Sequence, residues 1–373
     1  MAGLYIHIPF CASRCIYCGF YSTTLSGLKQ RYVDALCREM ELAKCNLRDD
    51  KIATIYVGGG TPSQLSIPLI GQIFDAVYSN YDVEDHAEVT IECNPDDVTE
   101  EFATQLYRLA VNRVSMGAQT FSDERLRFLH RRHTASQVQQ AVKNLRRAGI
   151  GNISIDLMYG FPNQTVVEWH DDISSALELG VEHISAYCLM IEEGTELYKM
   201  NLQASSKECD EETQRMMYYD LVDRLTAAGY EHYEISNFAR KGLRSRHNSG
   251  YWKDIPYIGI GASAHSYYGS TRRWNVSDVK QYISSCELRN DSYEAGMEPI
   301  DAETHYNERI MLALRTCEGL NLGELNTRQR DYLLSVAQKH VEAGLLEYDW
   351  QSLRLSHEGL FVSDMVISEL MIV

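Results

Sequence analysis

Between Gly3 and about Glu192 the chain repeats one rhythm. A short run rich in β-branched and aromatic residues is followed by a longer run of helical periodicity. The strand-like runs are LYIHI (4–8), ATIYVG (53–58), AEVTIEC (87–93), NRVSMG (112–117), NISIDLMYG (152–160) and EHISAYCL (182–189). The helical runs include LKQRYVDALCREMELAKC and SQVQQAVKNLRRAG, and the second closes on Ala-Gly, a helix C-cap signal. Six alternations predict an α/β fold with a parallel sheet and helical crossovers. Such a sheet can curl into an open six-stranded (β/α)6 partial barrel or lie flat as a doubly wound sheet. In both, ligands gather at the C-terminal ends of the strands.

The rhythm stops near residue 193. EEGTELYKMNLQASSKECDEET is polar, holds no clear strand and reads as a linker or lid. A long helix is predicted over about Glu211–Ala228, closed by Gly229, and then an irregular stretch rich in Gly and aromatics over 230–276. From about Asp301 three helices and then LLEYDWQSLRLS, two short strands around a turn, suggest a small, mainly helical winged-helix-like module. Three units follow: a β/α core over 1–192, an extension of it over 193–300, and the C-terminal module over 301–373.

Composition narrows the function. An apolar share of 45% in 373 residues can build a sizeable core. Thirty-five basic against 52 acidic residues give −17, which disfavours a nucleic-acid partner and a DNA-binding role for the module. No apolar run approaches the roughly 18 residues of a transmembrane span. The start, GLYIHIPF, is strand-like and carries no targeting pattern, so a cytoplasmic protein is expected. Seven of the ten cysteines (Cys37, Cys45, Cys93, Cys188, Cys209, Cys286, Cys317) are scattered singly and read as buried free thiols in a reducing compartment.

The other three stand together in YIHIPFCASRCIYCGFYS, as Cys11, Cys15 and Cys18, in the loop after the first strand. Three thiolates at this spacing can hold three corners of a small iron–sulfur cluster and leave one iron open to a small molecule. A structural zinc would need a fourth ligand. His7 is the near one, but it lies within the strand. VGGGTPSQL (57–65) follows the second strand, and its backbone N–H groups can form a nest for a charged ligand or simply a glycine-rich turn.

CxxxCxxC directly after a first strand, with GGGTP after the second, resembles the signature of the radical S-adenosylmethionine (SAM) superfamily. That resemblance implies a [4Fe–4S] cluster on Cys11, Cys15 and Cys18. It also implies that Gly59, Gly60 and Thr61 cradle the amino-acid end of SAM. Glu92 in TIECNP, Gln119 in SMGAQTF, Arg131 in LRFLHRRHT and Asp156 in SIDLMYGFP are polar residues, all but Arg131 at or near strand ends. Glu92 and Asp156 could equally cap loops, and Arg131 could be a solvated helix residue. With Tyr5 and Tyr17 they resemble the SAM-contacting set of the coproporphyrinogen dehydrogenase (HemN)-like subfamily, over essentially the whole chain.

That subfamily holds two functional classes. The oxygen-independent coproporphyrinogen III dehydrogenases carry a fourth cysteine two residues after the third, and the HemW-type heme chaperones lack it. Here the position is Phe20. HNSGYW (247–252) matches the HNxxYW pattern of the chaperone class. The resemblance implies heme as a ligand, apo-hemoproteins as acceptors and a cluster-dependent homodimer. An imidazole can ligate heme iron, so His247 is a candidate ligand, with His265 a weaker one. Tyr251 and Trp252 could line a flat macrocycle. The plain alternative is an aromatic-rich loop packed against the core, with His247 hydrogen-bonded to backbone.

Overall fold

In a computed structural model the described residues are 1–43, 50–203, 208–288 and 293–372. Cys45 and the ends of two expected segments lie outside them. Six parallel strands run in sequence order: β1 (Ala2–Ile8), β2 (Ile52–Gly59), β3 (Val83–Cys93), β4 (Arg113–Gln119), β5 (Asn152–Tyr159) and β6 (His183–Cys188). Helices fill the crossovers. The Ala135–Ala148 helix starts on a Thr134/Gln137 capping box and ends where Gly149 turns left-handed at φ 99°.

The stretch 230–276 is not irregular. It supplies β7 (Glu231–Glu234), β8 (Asn237–Ala239), the helix Arg246–Trp252, β9 (Tyr257–Ile260), β10 (His265–Tyr268) and β11 (Thr271–Asn275). With β12 (Glu294–Pro299) these widen the sheet to twelve strands, in the order β12-β11-β10-β9-β1-β2-β3-β4-β5-β6-β8-β7. β9 pairs parallel with β1 and becomes a seventh parallel strand. Its runs are too short, and too broken by glycine, to stand out from loops in the sequence.

The strands are two-faced. Ile6, Ile55, Val57, Ile91, Val114, Ile153, Ile155 and Ile184 pack with Leu36, Phe74, Leu145 and Trp169 of the helices into one apolar cluster. The intervening positions are polar, which is unusual for parallel strands buried on both faces.

The 301–373 module has its own core, with Tyr306, Ile310, Leu333, Leu353, Val366 and Leu370 at its centre. Two helices (Ala302–Ala313, Thr327–Glu342), with the short β13 (Leu320–Asn321) between them, precede the β14 (Leu346–Tyr348) and β15 (Ser352–Leu355) hairpin, and two more follow it, in place of the expected three helices and a terminal hairpin. Backbone bonds fasten the module to β7 and the turn after it: Ile235 N–H to Arg315 O at 3.0 Å and Cys317 N–H to Tyr233 O at 3.1 Å. Arg244 adds ion pairs to Glu318 at 2.6 Å and Glu231 at 3.0 Å. Among the described residues no helix is long and apolar enough to cross a membrane.

Candidate functional site

The cysteine loop is anchored at both ends and in the middle. Cys11 N–H donates to Thr23 O at 2.9 Å, and Thr23 N–H to Pro9 O at 2.7 Å, pinching the loop's neck. Between the thiols, Ile16 is 2% exposed and packs with Leu129, Met158, Phe161, Leu189 and Leu197. Its N–H donates to Leu129 O at 3.4 Å, and its carbonyl accepts from Leu197 N–H at 2.9 Å. Leu197 sits on a helix, Glu196–Leu202, capped by Thr195. The segment expected as a linker thus buttresses the loop that carries the thiols. Cys11, Cys15 and Cys18 are free and half-buried.

Above the sheet's polar face lies a cavity of about 440 Å³. All three thiols line it, with Tyr5, Tyr17, Gly59, Gly60, Thr61, Glu92, Gln119, Arg131 and Asp156. Arg131 comes from beyond β4, yet its guanidinium is buried and reaches the cavity. Its Nη2 donates to Gly117 O at 2.7 Å and also meets Asn94 Oδ1, and its Nη1 lies 3.6 Å from Cys15 Sγ. Thr61 Oγ1 donates to Cys11 Sγ at 3.5 Å. Gln119 reaches its place through a left-handed turn at φ 67°, where the β4–β5 register shifts. The same wall holds Tyr56, Arg113, Ser115, Ser185 and Tyr187, none of them anticipated. Their signal in the sequence was the period-two polar alternation within parallel strands.

The glycine turn is built for close approach. Gly59 has φ 114°, and a Cβ there would meet the His7 ring at 2.6 Å; one on Gly60 would meet Pro9's backbone at 2.8 Å. Gly59 N–H and Tyr56 O–H both donate to the Glu92 carboxylate, at 3.0 and 2.7 Å. Burial raises Glu92 to about 7, against the pull of those donors, and raises Asp156 to about 6, opposed mainly by Ser185 and Arg113. Both carboxyls therefore titrate near neutrality. Cys18 is pushed up by burial, with the Phe20 N–H working against the rise.

Comparison with known proteins places this geometry. The Radical SAM superfamily model matches residues 5–176, and the HemN C-terminal domain model matches 300–362. The heme chaperone HemW of Bacillus subtilis is 34% identical over 372 residues, covering 98% of each chain. The HemW heme chaperone of Mycobacterium tuberculosis (strain H37Rv) is 34% identical over 377 residues, 99% of this chain and 94% of that one. The chain belongs to the HemW family of radical SAM proteins. Its fold matches that of Escherichia coli coproporphyrinogen III oxidase (HemN), with a TM-score of 0.85 at 21% identity, covering 99% of this chain and 90% of that one.

The residues present fit the groups that a radical SAM protein holds. Three thiols share one wall, and an O–H and a guanidinium already point at two of the sulfurs, as donors to cluster-bound thiolates do. Thiols that each bind a different iron need not converge on one point. Among the described residues no three His, Cys, Asp or Glu side chains converge to hold a single ion. His7, the possible zinc ligand, has both ring nitrogens engaged, with Tyr5 O–H at 2.9 Å and Tyr21 O at 3.2 Å. The cavity volume lies within the roughly 300–1,000 Å³ of small-molecule sites. Arg131 Nε is buried without a protein partner, a donor left for something else.

His247, expected as a heme ligand, lies elsewhere in this HemW-family chain. It is 4% exposed, beneath the cavity near the start of β2, with Nδ1 at 2.8 Å from Thr54 Oγ1 and Nε2 at 2.9 Å from Tyr251 O–H. Burial lowers its pKa to about 3, so the ring is neutral. An iron bond would have to displace one of these two buried hydrogen bonds. Tyr251 is half-buried, lines a separate cavity of about 130 Å³ and packs edge-on against Tyr257 at 4.6 Å. His265 sits on β10 with its ring against Trp274 at 6.2 Å. Of the scattered cysteines, Cys93, Cys209 and Cys286 are buried as expected, Cys37 and Cys188 are partly exposed, and Cys317 is exposed.

Proposed function

We propose that this protein is a cytoplasmic heme chaperone that carries a [4Fe–4S] cluster and SAM, binds heme and delivers it to apo-hemoproteins. What carries the reading is one loop with three thiols, and Phe20 in place of a fourth, on a SAM-sized cavity, in a chain matched end to end by proteins named heme chaperones. Phe20 stands where the dehydrogenase class has its extra thiol, and it is 71% exposed at the cavity mouth.

Cys11, Cys15 and Cys18 would hold the cluster, which when bound supplies a one-electron donor and an open iron for the amino and carboxylate groups of SAM. The chain's part is placement. The Glu92 carboxylate accepts from the amino group of SAM, and free backbone N–H groups of the glycine turn can donate to its carboxylate. The Arg131 guanidinium, held by Gly117 and Asn94, offers Nε to an anionic group. Asp156 and the hydroxyls of Ser115 and Ser185 provide acceptors and donors deeper in the barrel. The helix Glu196–Leu202 holds the cysteine loop in place. Assembly as a cluster-dependent homodimer belongs to the same reading.

The test is a heme titration of anaerobically reconstituted protein, with and without its cluster, followed by incubation with an apo-hemoprotein. Stable heme retention and transfer are expected. Conversion of coproporphyrinogen III to protoporphyrinogen IX with SAM and reductant would overturn the chaperone reading in favour of a tetrapyrrole-oxidising enzyme.

A further inference from the structure

The HNSGYW helix, Arg246–Trp252, closes the barrel from the end opposite the thiols. Its N-terminus is tied down by Glu88 on β3, whose two carboxylate oxygens accept from Arg246 N–H at 2.9 Å and His247 N–H at 3.0 Å. The His247 ring then stands inside the barrel. It stacks on Tyr56, with centroids 5.1 Å apart and planes 26° apart. Tyr5 covers the two of them, stacked on Tyr56 at 6.2 Å and on His247 at 6.5 Å. The Tyr56 hydroxyl reaches up to Glu92 Oε1 at 2.7 Å, and the other Glu92 oxygen accepts from Gly59 in the glycine turn at 3.0 Å. One continuous column therefore runs from the helix through two stacked rings to a carboxylate, and from that carboxylate to the turn.

Each joint in the column is restrictive. Tyr56 is half-buried between the His247 ring and the cavity, and its hydroxyl oxygen moves only with its ring. A Cβ on Gly58 would sit 2.8 Å from the Tyr56 ring and 3.0 Å from the Glu92 carboxyl, so the strand, the ring and the carboxylate are packed to contact. Removing the imidazole would leave a void under Tyr56 and let the ring sink or tilt. Glu92 would then keep its bond from Gly59 and lose the one from below.

We infer that His247 and Tyr56 are positioning residues for SAM: the HNSGYW helix is the floor that sets the height and orientation of Glu92 beneath the glycine turn. The imidazole acts through its ring face on Tyr56, and its nitrogens serve only to fix the ring, on Thr54 and Tyr251. This rests on the reading of the upper cavity as a SAM site. It assigns the motif a role that does not involve heme iron.

The experiment is SAM binding by calorimetry to cluster-reconstituted protein, with cluster content, thermal melting and heme titration measured on each variant. Losing a hydrogen bond to a charged group corresponds to roughly tenfold or more in affinity. His247→Ala is expected to weaken SAM binding about tenfold with cluster content and heme affinity unchanged. His247→Phe keeps a ring on Tyr56 but cannot ligate iron, and is expected to restore SAM affinity to within about threefold of wild type. Tyr56→Phe keeps the packing and removes the hydroxyl, so it serves where His247→Ala folds poorly; it too is expected to lose about tenfold. The His247→Ala/Tyr56→Phe double variant should lose little more than either alone, because both break one column. Unchanged SAM affinity in His247→Ala, fully additive losses in the double variant, or loss of heme in both the Ala and Phe variants with SAM binding intact would overturn the inference. A wild-type protein that retains its cluster and does not bind SAM would instead sink the reading of the cavity itself.

Discussion

The two ends of the barrel are built on different terms. At the thiol end, polar groups are left available. Arg131 Nε has no protein partner, three thiols are free, and the glycine turn keeps its surface bare of side chains. At the HNSGYW end His247 and its anchor Glu88 are engaged, while Ser249 Oγ and Trp252 Nε1 are buried without a partner. Both His247 nitrogens and both Glu88 oxygens are in hydrogen bonds. Both motifs hold residue types that can meet a cofactor. Hydrogen-bond satisfaction separates Arg131 from His247, because buried groups that already have partners must give one up to take a ligand.

Breaking the open end should have the largest effect. Cys15→Ala removes one of three ligands, and after anaerobic reconstitution the brown cluster absorption is expected to be lost; full absorption would exclude the assignment. Arg131→Ala should come next. It strips Gly117 O and Asn94 of a buried charged donor, with an expected loss of about 2–3 kcal/mol in urea unfolding and at least tenfold in SAM affinity. Gly59→Ala forces an L-residue into a left-handed backbone against the His7 ring, and should cost about 1–3 kcal/mol and weaken SAM binding in parallel.

Smaller effects sharpen the contrast. Burial holds Glu92 at about 7, above its ordinary range, so the folded state favours its protonated form. Its contribution to stability is present below the unfolded carboxyl's pKa and is lost as pH rises through about 7. A cationic ligand prefers the ionised form, so SAM binding should release a proton and tighten from pH 6 to pH 8. Calorimetry in buffers of different ionisation enthalpy reads that proton, and affinity independent of pH would remove Glu92 from the contact. At the closed end Thr54→Val removes one partner of His247 and should cost about 1 kcal/mol without altering cluster content, read by urea unfolding and iron analysis.

The fold and the open end were legible in the sequence because local rules govern them. Six alternations gave six parallel strands in order, and the thiol spacing and the glycine turn are contiguous signals. Arg131 was harder, since it reaches the cavity from a turn beyond its strand. Tyr56, Arg113 and Ser185 were passed over although the alternation in TIYVG, RVSMG and ISAYC pointed to them. The strands of 230–276 are not legible in the sequence, because β7 to β11 are short pieces that become strands only by pairing at the sheet's flanks. The partners of His247 are not legible in the sequence, because residue type says what a side chain can bond, and only three-dimensional neighbours say whether it already does.

The most direct measurement is electron paramagnetic resonance of the reduced, reconstituted protein with and without SAM. A cluster held by Cys11, Cys15 and Cys18 with one iron open to the cavity is expected to shift its signal on SAM addition, and to keep that response in Phe20→Ala. A four-iron signal indifferent to SAM, or a preparation whose thiols hold zinc, would contradict the account.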